Sequence, residues 1–280
     1  MENYEDIGMF NIEGEPTVVT DIRYKILNKF KDLKFYEDTH VYTLNGITYP
    51  SVTTMLGKYM QPFDIDAVAE RYAEKNGETP EYWKKEWKFK NLIATTTGTQ
   101  CHAYGEGLGY VMNGHPELIP QDKKYQYNKE NNWLIPTRPQ ESAMLKFYKE
   151  LNPNLHFVLA EAKMYTECLK TNLAGTADIL FYYEDPTGKH SGLCVFDWKT
   201  NQELKKSYSR DRGIMMLHPF ENLWNEPLSE YMLQLNVYSI PIEDLLGCKI
   251  IAKRVVWVKT DGTYEIVPLP DKTEEIRKFL

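Results

Sequence analysis

The chain has few cysteines, and they are scattered. Cys101, Cys168, Cys194 and Cys248 include no C-x-x-C pair, which argues against a disulfide framework or a zinc site and favours reduced thiols. The first ten residues, MENYEDIGMF, lack the basic and apolar regions of a signal peptide. No apolar run approaches the ~18 residues needed to span a membrane. The expected setting is therefore cytoplasmic and away from membranes. There is no internal repeat, no low-complexity tract and no G-x-x-x-x-G-K-S/T loop, so no motor activity is expected of these residues. Net charge is −7, the wrong sign for a protein that coats nucleic acid non-specifically.

What remains is an ordinary globular composition over 280 residues, with 42% hydrophobic and 26% charged positions, enough to bury a substantial core. Aromatics are plentiful at 13%, among them 20 tyrosines. A weak helical pattern spans Val19 to Phe30. Asn45-Gly46, between HVYTL and ITYPS, predicts a tight hairpin, because both residues tolerate positive φ. Ser51 or Thr53 then caps a short helix. Helical patterns follow over 64–75 and 79–96, the second opened by Thr79-Pro80. A separate glycine-punctuated helix is expected over 98–112, a long loop over 114–139 and an amphipathic helix over 140–152. Three strand-like runs come next, 156–166, 174–184 and 192–200, then a helix over 230–240 and two further strands. This order predicts an α+β domain at 96–280, with a hairpin and helical portion at 1–95.

The chemistry gathers at the end of the third run, GLCVFDWKT. Asp197 and Lys199 share one strand face and Trp198 takes the other. If the preceding hairpin pairs symmetrically about Thr187 and Gly188, Asp178 lies directly opposite Asp197. Carboxylates placed so, with Cβ atoms about 5 Å apart, repel unless positive charge sits between them. A divalent cation supplies it, and Mg²⁺ or Mn²⁺ favours oxygen ligands. Lys199 is then available to act on a metal-bound water or on a phosphate. Glu161, on the strand before Asp178, offers another carboxylate, and His102, near a helix start, an imidazole. Gln234 and Tyr238 share a helix face.

Gly98-Thr99-x-x-His102, Glu161, Gly175-Thr176-Ala177-Asp178, Asp197-Trp198-Lys199 and Gln234-x-x-x-Tyr238, in this order, resemble the PD-(D/E)xK nuclease superfamily, specifically its RecB-like exonuclease branch. The segment YPSVTTML is also similar to one in exonucleases of the mitochondrial genome maintenance type and phage-type relatives. The resemblance covers about residues 95–240. It implies a restriction-endonuclease-like fold, a central mixed sheet flanked by helices. It also implies His102, Asp178, Asp197 and the Trp198 main-chain carbonyl as metal ligands, Lys199 as the catalytic lysine and Glu161 in support. Gln234 and Tyr238 would position the lysine or the DNA strand. No cysteine cluster follows the core, so no iron–sulfur cluster is expected.

Positive charge for DNA is concentrated in two segments. YWKKEWKFK interleaves Trp83, Trp87 and Phe89 with Lys84 and Lys85, and the stretch after the D-x-K carries Lys205, Lys206 and Arg210. Aromatics beside cations suit single strands. The resulting expectation is a Mg²⁺- or Mn²⁺-dependent DNA exonuclease on single-stranded ends, working alone or with a helicase or a recombination or replication partner. Two alternatives are a flap or junction endonuclease and a non-catalytic nucleic-acid-binding protein on a nuclease scaffold.

Overall fold

The computed structural model describes residues 14–36, 39, 41–115, 127–128, 133–167 and 170–280. The chain opens with helix α1 (Thr17–Phe30), followed by a three-stranded antiparallel sheet of β1 (Leu33–Tyr36), β2 (Val41–Leu44) and β3 (Ile47–Tyr49). Asn45 and Gly46 take φ of 51° and 81°, the left-handed pair that the tight turn requires. Strand β1 was not expected from the sequence; LKFY is a short run whose pairing depends on β2. Helix α2 (Val52–Gly57) is capped by Ser51, whose Oγ accepts the Thr54 N–H at 3.0 Å. Helix α3 (Ile65–Asn76) begins at Asp64, which accepts the Ala67 N–H in the same way.

Helix α4 (Pro80–Met112) is a single helix of 33 residues, where the sequence suggested two. Its glycines permit close packing and do not interrupt it. A Cβ at Gly105 would meet Trp198 Nε1 at 2.7 Å, and one at Gly109 would meet the Tyr148 hydroxyl at 2.7 Å. The division expected between residues 95 and 96 therefore falls inside one continuous helix. Most of the loop expected over 114–139 lies outside the described residues; within it, β4 (Tyr127–Asn128) pairs with β5 (Trp133–Leu134).

Helix α5 (Pro139–Lys149) leads into β6 (Leu155–Thr166), β7 (Leu173–Tyr183) and β8 (Gly192–Lys199), followed by a short helix α6 (Ser207–Asp211). Helix α7 (Pro227–Leu246) crosses over to β9 (Ile250–Val258), and β10 (Tyr264–Leu269) and α8 (Thr273–Phe279) complete the chain. The five large strands form one sheet in the order β10-β9-β8-β7-β6, antiparallel throughout except for the parallel β8–β9 pair that α7 connects. The fold is α+β with a mixed central sheet.

Both faces of the sheet are covered. Leu159, Leu180 and Val195 pack with Ile22, Ile26, Leu56 and Leu235 of α1, α2 and α7. On the opposite face, Ile179, Phe181, Phe196 and Trp198 pack with Tyr104, Leu108 and Phe147 of α4 and α5. A strand buried on both sides has no reason to alternate polar and apolar residues, which explains the unbroken run Leu193 to Phe196. Helices α1 and α2 thus share the core of the central sheet. Among the described residues, no helix is long and apolar enough to cross a membrane.

One buried cation helps to fix the start of the C-terminal helix. Lys253 of β9 is 2% exposed, and its ammonium meets Asp271 at 2.9 Å; Asp271 also accepts the Thr273 N–H at the start of α8. Burial alone would raise the Asp271 pKa, but Lys253 and Thr273 outweigh it and hold the carboxyl down at about 2. Because the folded-state pKa is depressed, this stabilisation is complete above the unfolded value near 4 and is lost as pH falls through about 2. Asp271→Asn strands the buried ammonium and should cost about 1–3 kcal/mol at neutral pH. The variant should also show a shallower loss of stability between about pH 4 and pH 2 than the parent, measured by thermal melting. Identical melting curves at pH 7 would contradict this role.

Candidate active site

Three carboxylates stand side by side on three neighbouring strands. The β6–β7 ladder pairs Ala160 with Ile179 and Ala162 with Ala177, which sets Glu161 across from Asp178. The β7–β8 ladder pairs Tyr183 with Gly192 and runs to Ile179 with Phe196. These pairs keep the register expected from symmetry about Thr187 and Gly188, and Asp178 and Asp197 are the residues that adjoin the last of them. Gly188 takes φ of 71° in that turn, and Asp185 organises it by accepting the N–H groups of Thr187, Lys189 and His190. Glu161 itself adopts φ of 47°. A non-glycine residue in this region stores about 1–3 kcal/mol of strain, a cost seen mainly where function fixes a side chain.

Each acid has a different environment. Asp178 Oδ2 accepts the Trp198 N–H at 2.7 Å and lies 3.2 Å from His102 Nδ1. Asp197 is buried, and Lys199 Nζ stands 2.5 Å from its Oδ2. Asp197 and Lys199 therefore do share a face, while Trp198 turns into the opposite core against Phe147. Burial pushes the pKa of both aspartates up. In Asp178 the His102 charge and hydrogen bond reverse this and lower it; in Asp197 burial and the Asp178 charge prevail and raise it. Burial works against a charged His102, yet Asp178 lifts it to about 9. Lys199 is likewise raised, since Asp197 and Asp178 outweigh its desolvation, so it carries its charge.

Ligand atoms of His102, Glu161 and Asp178 all lie within 4.8 Å of one another, so these three can hold a metal ion together. Two carboxylates and one imidazole form a suitable donor set for a divalent cation. Glu161 is thus as central as the two aspartates, while Asp197 is the acid engaged by Lys199. The Trp198 main chain enters the site through its N–H, which fixes Asp178.

Gln234 and Tyr238 share a face of α7, as expected. Gln234 Nε2 donates to the Tyr238 hydroxyl at 2.8 Å. At 6% and 4% exposure they offer no surface to a DNA strand, which corrects the expectation of direct contact. Their place is beneath the site, where the Tyr238 ring lies against Gly175: a Cβ there would collide with Tyr238 Cε1. The glycine of Gly175-Thr176-Ala177-Asp178 is thus required by a tyrosine far along the chain.

The basic segments divide. Lys85, Lys205 and Lys206 are exposed. Lys84 pairs with Asp66 of α3 at 2.8 Å, and Trp83 and Trp87 pack on Tyr72 of the same helix, leaving Phe89 59% exposed. Arg210 grips the buried Glu226 through two hydrogen bonds of 2.9 and 2.6 Å. Lys84 and Arg210 are therefore engaged in the protein's own ion pairs while remaining partly exposed. Two other residues reach the site without a sequence signal strong enough to single them out. The Tyr42 hydroxyl of β2 lies 2.9 Å from Thr176 Oγ1, and the Tyr231 ring lies 4.4 Å from Lys199 Nζ. Tyr231 is three residues before Gln234, so its helical spacing was visible while its contact was not.

No family model matches the chain, and no curated protein matches it in sequence.

Gly175→Ala should cost about 1–3 kcal/mol, because the buried Tyr238 ring must move. In the Gly175→Ala/Tyr238→Ala double variant the two losses should sum to less than additivity, as the truncation frees the space the new methyl needs. Strict additivity in denaturant melts would show that the two positions do not compete.

Proposed function

We propose that this chain is a Mg²⁺- or Mn²⁺-dependent deoxyribonuclease of the PD-(D/E)xK type, acting as an exonuclease on single-stranded DNA ends. The observation that carries the reading is the row Glu161, Asp178 and Asp197, closed by His102 on one side and by Lys199 on the other. His102, Glu161 and Asp178 would hold the cation, with Asp197 and the Trp198 carbonyl completing its surroundings. A bound divalent cation supplies Lewis acidity toward a phosphodiester.

The protein groups have separable tasks. The Trp198 N–H and His102 keep Asp178 ionised and oriented. Lys199, charged and held by Asp197, places positive charge where a phosphate under attack accumulates negative charge. Exposed Lys205 and Lys206, on the segment that leaves β8, attract the nucleic-acid backbone next to the site. The chain is acidic overall, so this local charge would fix where a strand enters. A substrate that continued along α4 toward Lys85 and Phe89 would be a single strand, whose bases can stack. A helicase or a recombination or replication partner would deliver such ends.

Purified protein with Mn²⁺ should shorten end-labelled linear single-stranded DNA and spare circular single strands. Lys199→Ala and Asp178→Asn should each lower the rate by roughly a hundredfold or more, while circular dichroism stays unchanged. Intact linear DNA after prolonged incubation, or full activity in Lys199→Ala, overturns the reading. Cleavage of circles would instead make the enzyme an endonuclease.

A further inference from the structure

The ammonium of Lys199 is contacted from two directions. Asp197 holds it by charge at 2.5 Å, and the face of Tyr231 covers it at 4.4 Å from the ring centroid. That ring is itself fixed. The Tyr231 hydroxyl donates to Asn201 Oδ1 at 2.6 Å, and the Asn201 carbonyl accepts the Trp257 Nε1–H at 2.7 Å. Trp257 is the β9 residue paired with Lys199 in the parallel ladder. One asparagine, two residues after the lysine, thus ties α7 to the end of β9 and sets the ring on the ammonium. Burial raises the Tyr231 hydroxyl to about 12, so it remains a neutral donor to Asn201.

This arrangement answers a specific difficulty. A lysine ends in a point charge on a flexible four-carbon stem, and Asp197 alone constrains it on one side only. An aromatic face attracts a cation electrostatically and occupies the space into which the stem would otherwise swing. Tyr231 shares its helix face with Gln234 and Tyr238, but those two bond to each other and lie deeper. Tyr231 is the member of the face that meets the lysine.

We propose that Tyr231, locked by Asn201, is the positioning residue for the Lys199 ammonium and sets where that charge meets a substrate phosphate. The catalytic consequence rests on the nuclease reading above; the placement of the lysine does not. Two measurements separate them. The first is the rate at which Lys199 is methylated by formaldehyde and borohydride in the folded full-length protein, read by peptide mass spectrometry. Tyr231→Leu should raise that rate severalfold, Asn201→Ala should raise it less, and Tyr231→Phe, which keeps the ring, least of all. The second is cleavage of linear single-stranded DNA with Mn²⁺. Tyr231→Leu should lower kcat on the order of tenfold with little change in KM, and Tyr231→Phe should recover much of the loss. Asn201 is exposed, so its variant keeps the test available if Tyr231→Leu does not fold. Equal Lys199 labelling in the parent, Tyr231→Leu and Asn201→Ala overturns the inference. So does equal kcat in Tyr231→Leu and Tyr231→Phe when the parent cleaves DNA. A parent that leaves DNA intact overturns the nuclease reading alone, and the labelling rates still decide whether the ring positions the lysine.

Discussion

Like charge buried on adjacent strands governs this architecture. Asp178 and Asp197 are both buried and adjoin the last pair of the β7–β8 ladder, with Glu161 on the next strand. Such a row persists only where cationic and N–H groups are brought to it. His102 comes from the middle of α4, the Trp198 N–H from β8, and Lys199 from the same strand two residues past Asp197. For His102 to reach Asp178, a long helix must lie very close to the sheet. The bare backbones of Gly105 and Gly109 make that approach possible, and Trp198 fills the contact at Gly105. Three consecutive residues of β8 therefore do linked work: Trp198 docks the helix that carries His102, and its neighbours face the site.

The rest of the chain supports this row from outside. Arg23 of α1 donates to the carbonyls of Phe157 and Val158, where the β6–β7 register shifts, and so anchors the strand that carries Glu161. The small N-terminal sheet sends Tyr42 to Thr176, two residues before Asp178. Helix α7 is the crossover that the parallel β8–β9 pair requires, and the same helix supplies the tyrosines on either side of the motif. Tyr238 presses on Gly175 beneath, and Tyr231 covers Lys199. The metal-ligating potential of His102, Glu161 and Asp178 is thus set by packing contacts spread over most of the described chain.

Local signals were legible in the sequence and distant partnerships were not. Asn45-Gly46, Ser51 and Thr79-Pro80 act within four residues of themselves, and the turn and both helix starts appear where those residues place them. The Asp178–Asp197 register follows from turn residues between two apolar runs, which is again local. The closeness of these two aspartates could therefore be read before the fold was known, whereas the place of Glu161 beside Asp178 could not. The sequence divides helix α4 just before Gly98, a poor helix former by intrinsic propensity, whereas the Trp198 and Tyr148 side chains against which Gly105 and Gly109 pack are far along the chain. Arg210 and Lys84 looked available as cations; Glu226 and Asp66, distant in sequence, engage them. The spacing of Tyr231 to Gln234 is visible in the sequence, but its relation to Asn201 and Trp257 exists only where α7 and β9 meet beside Lys199.

The claim on which the account depends is that this row of acids is a cation site. Electron paramagnetic resonance titration of the folded protein with Mn²⁺ tests it without reference to any substrate. The parent should show saturable binding, and Asp178→Asn and Glu161→Gln should each weaken it by roughly tenfold or more. Mn²⁺ affinity that is unchanged in both variants would contradict the account.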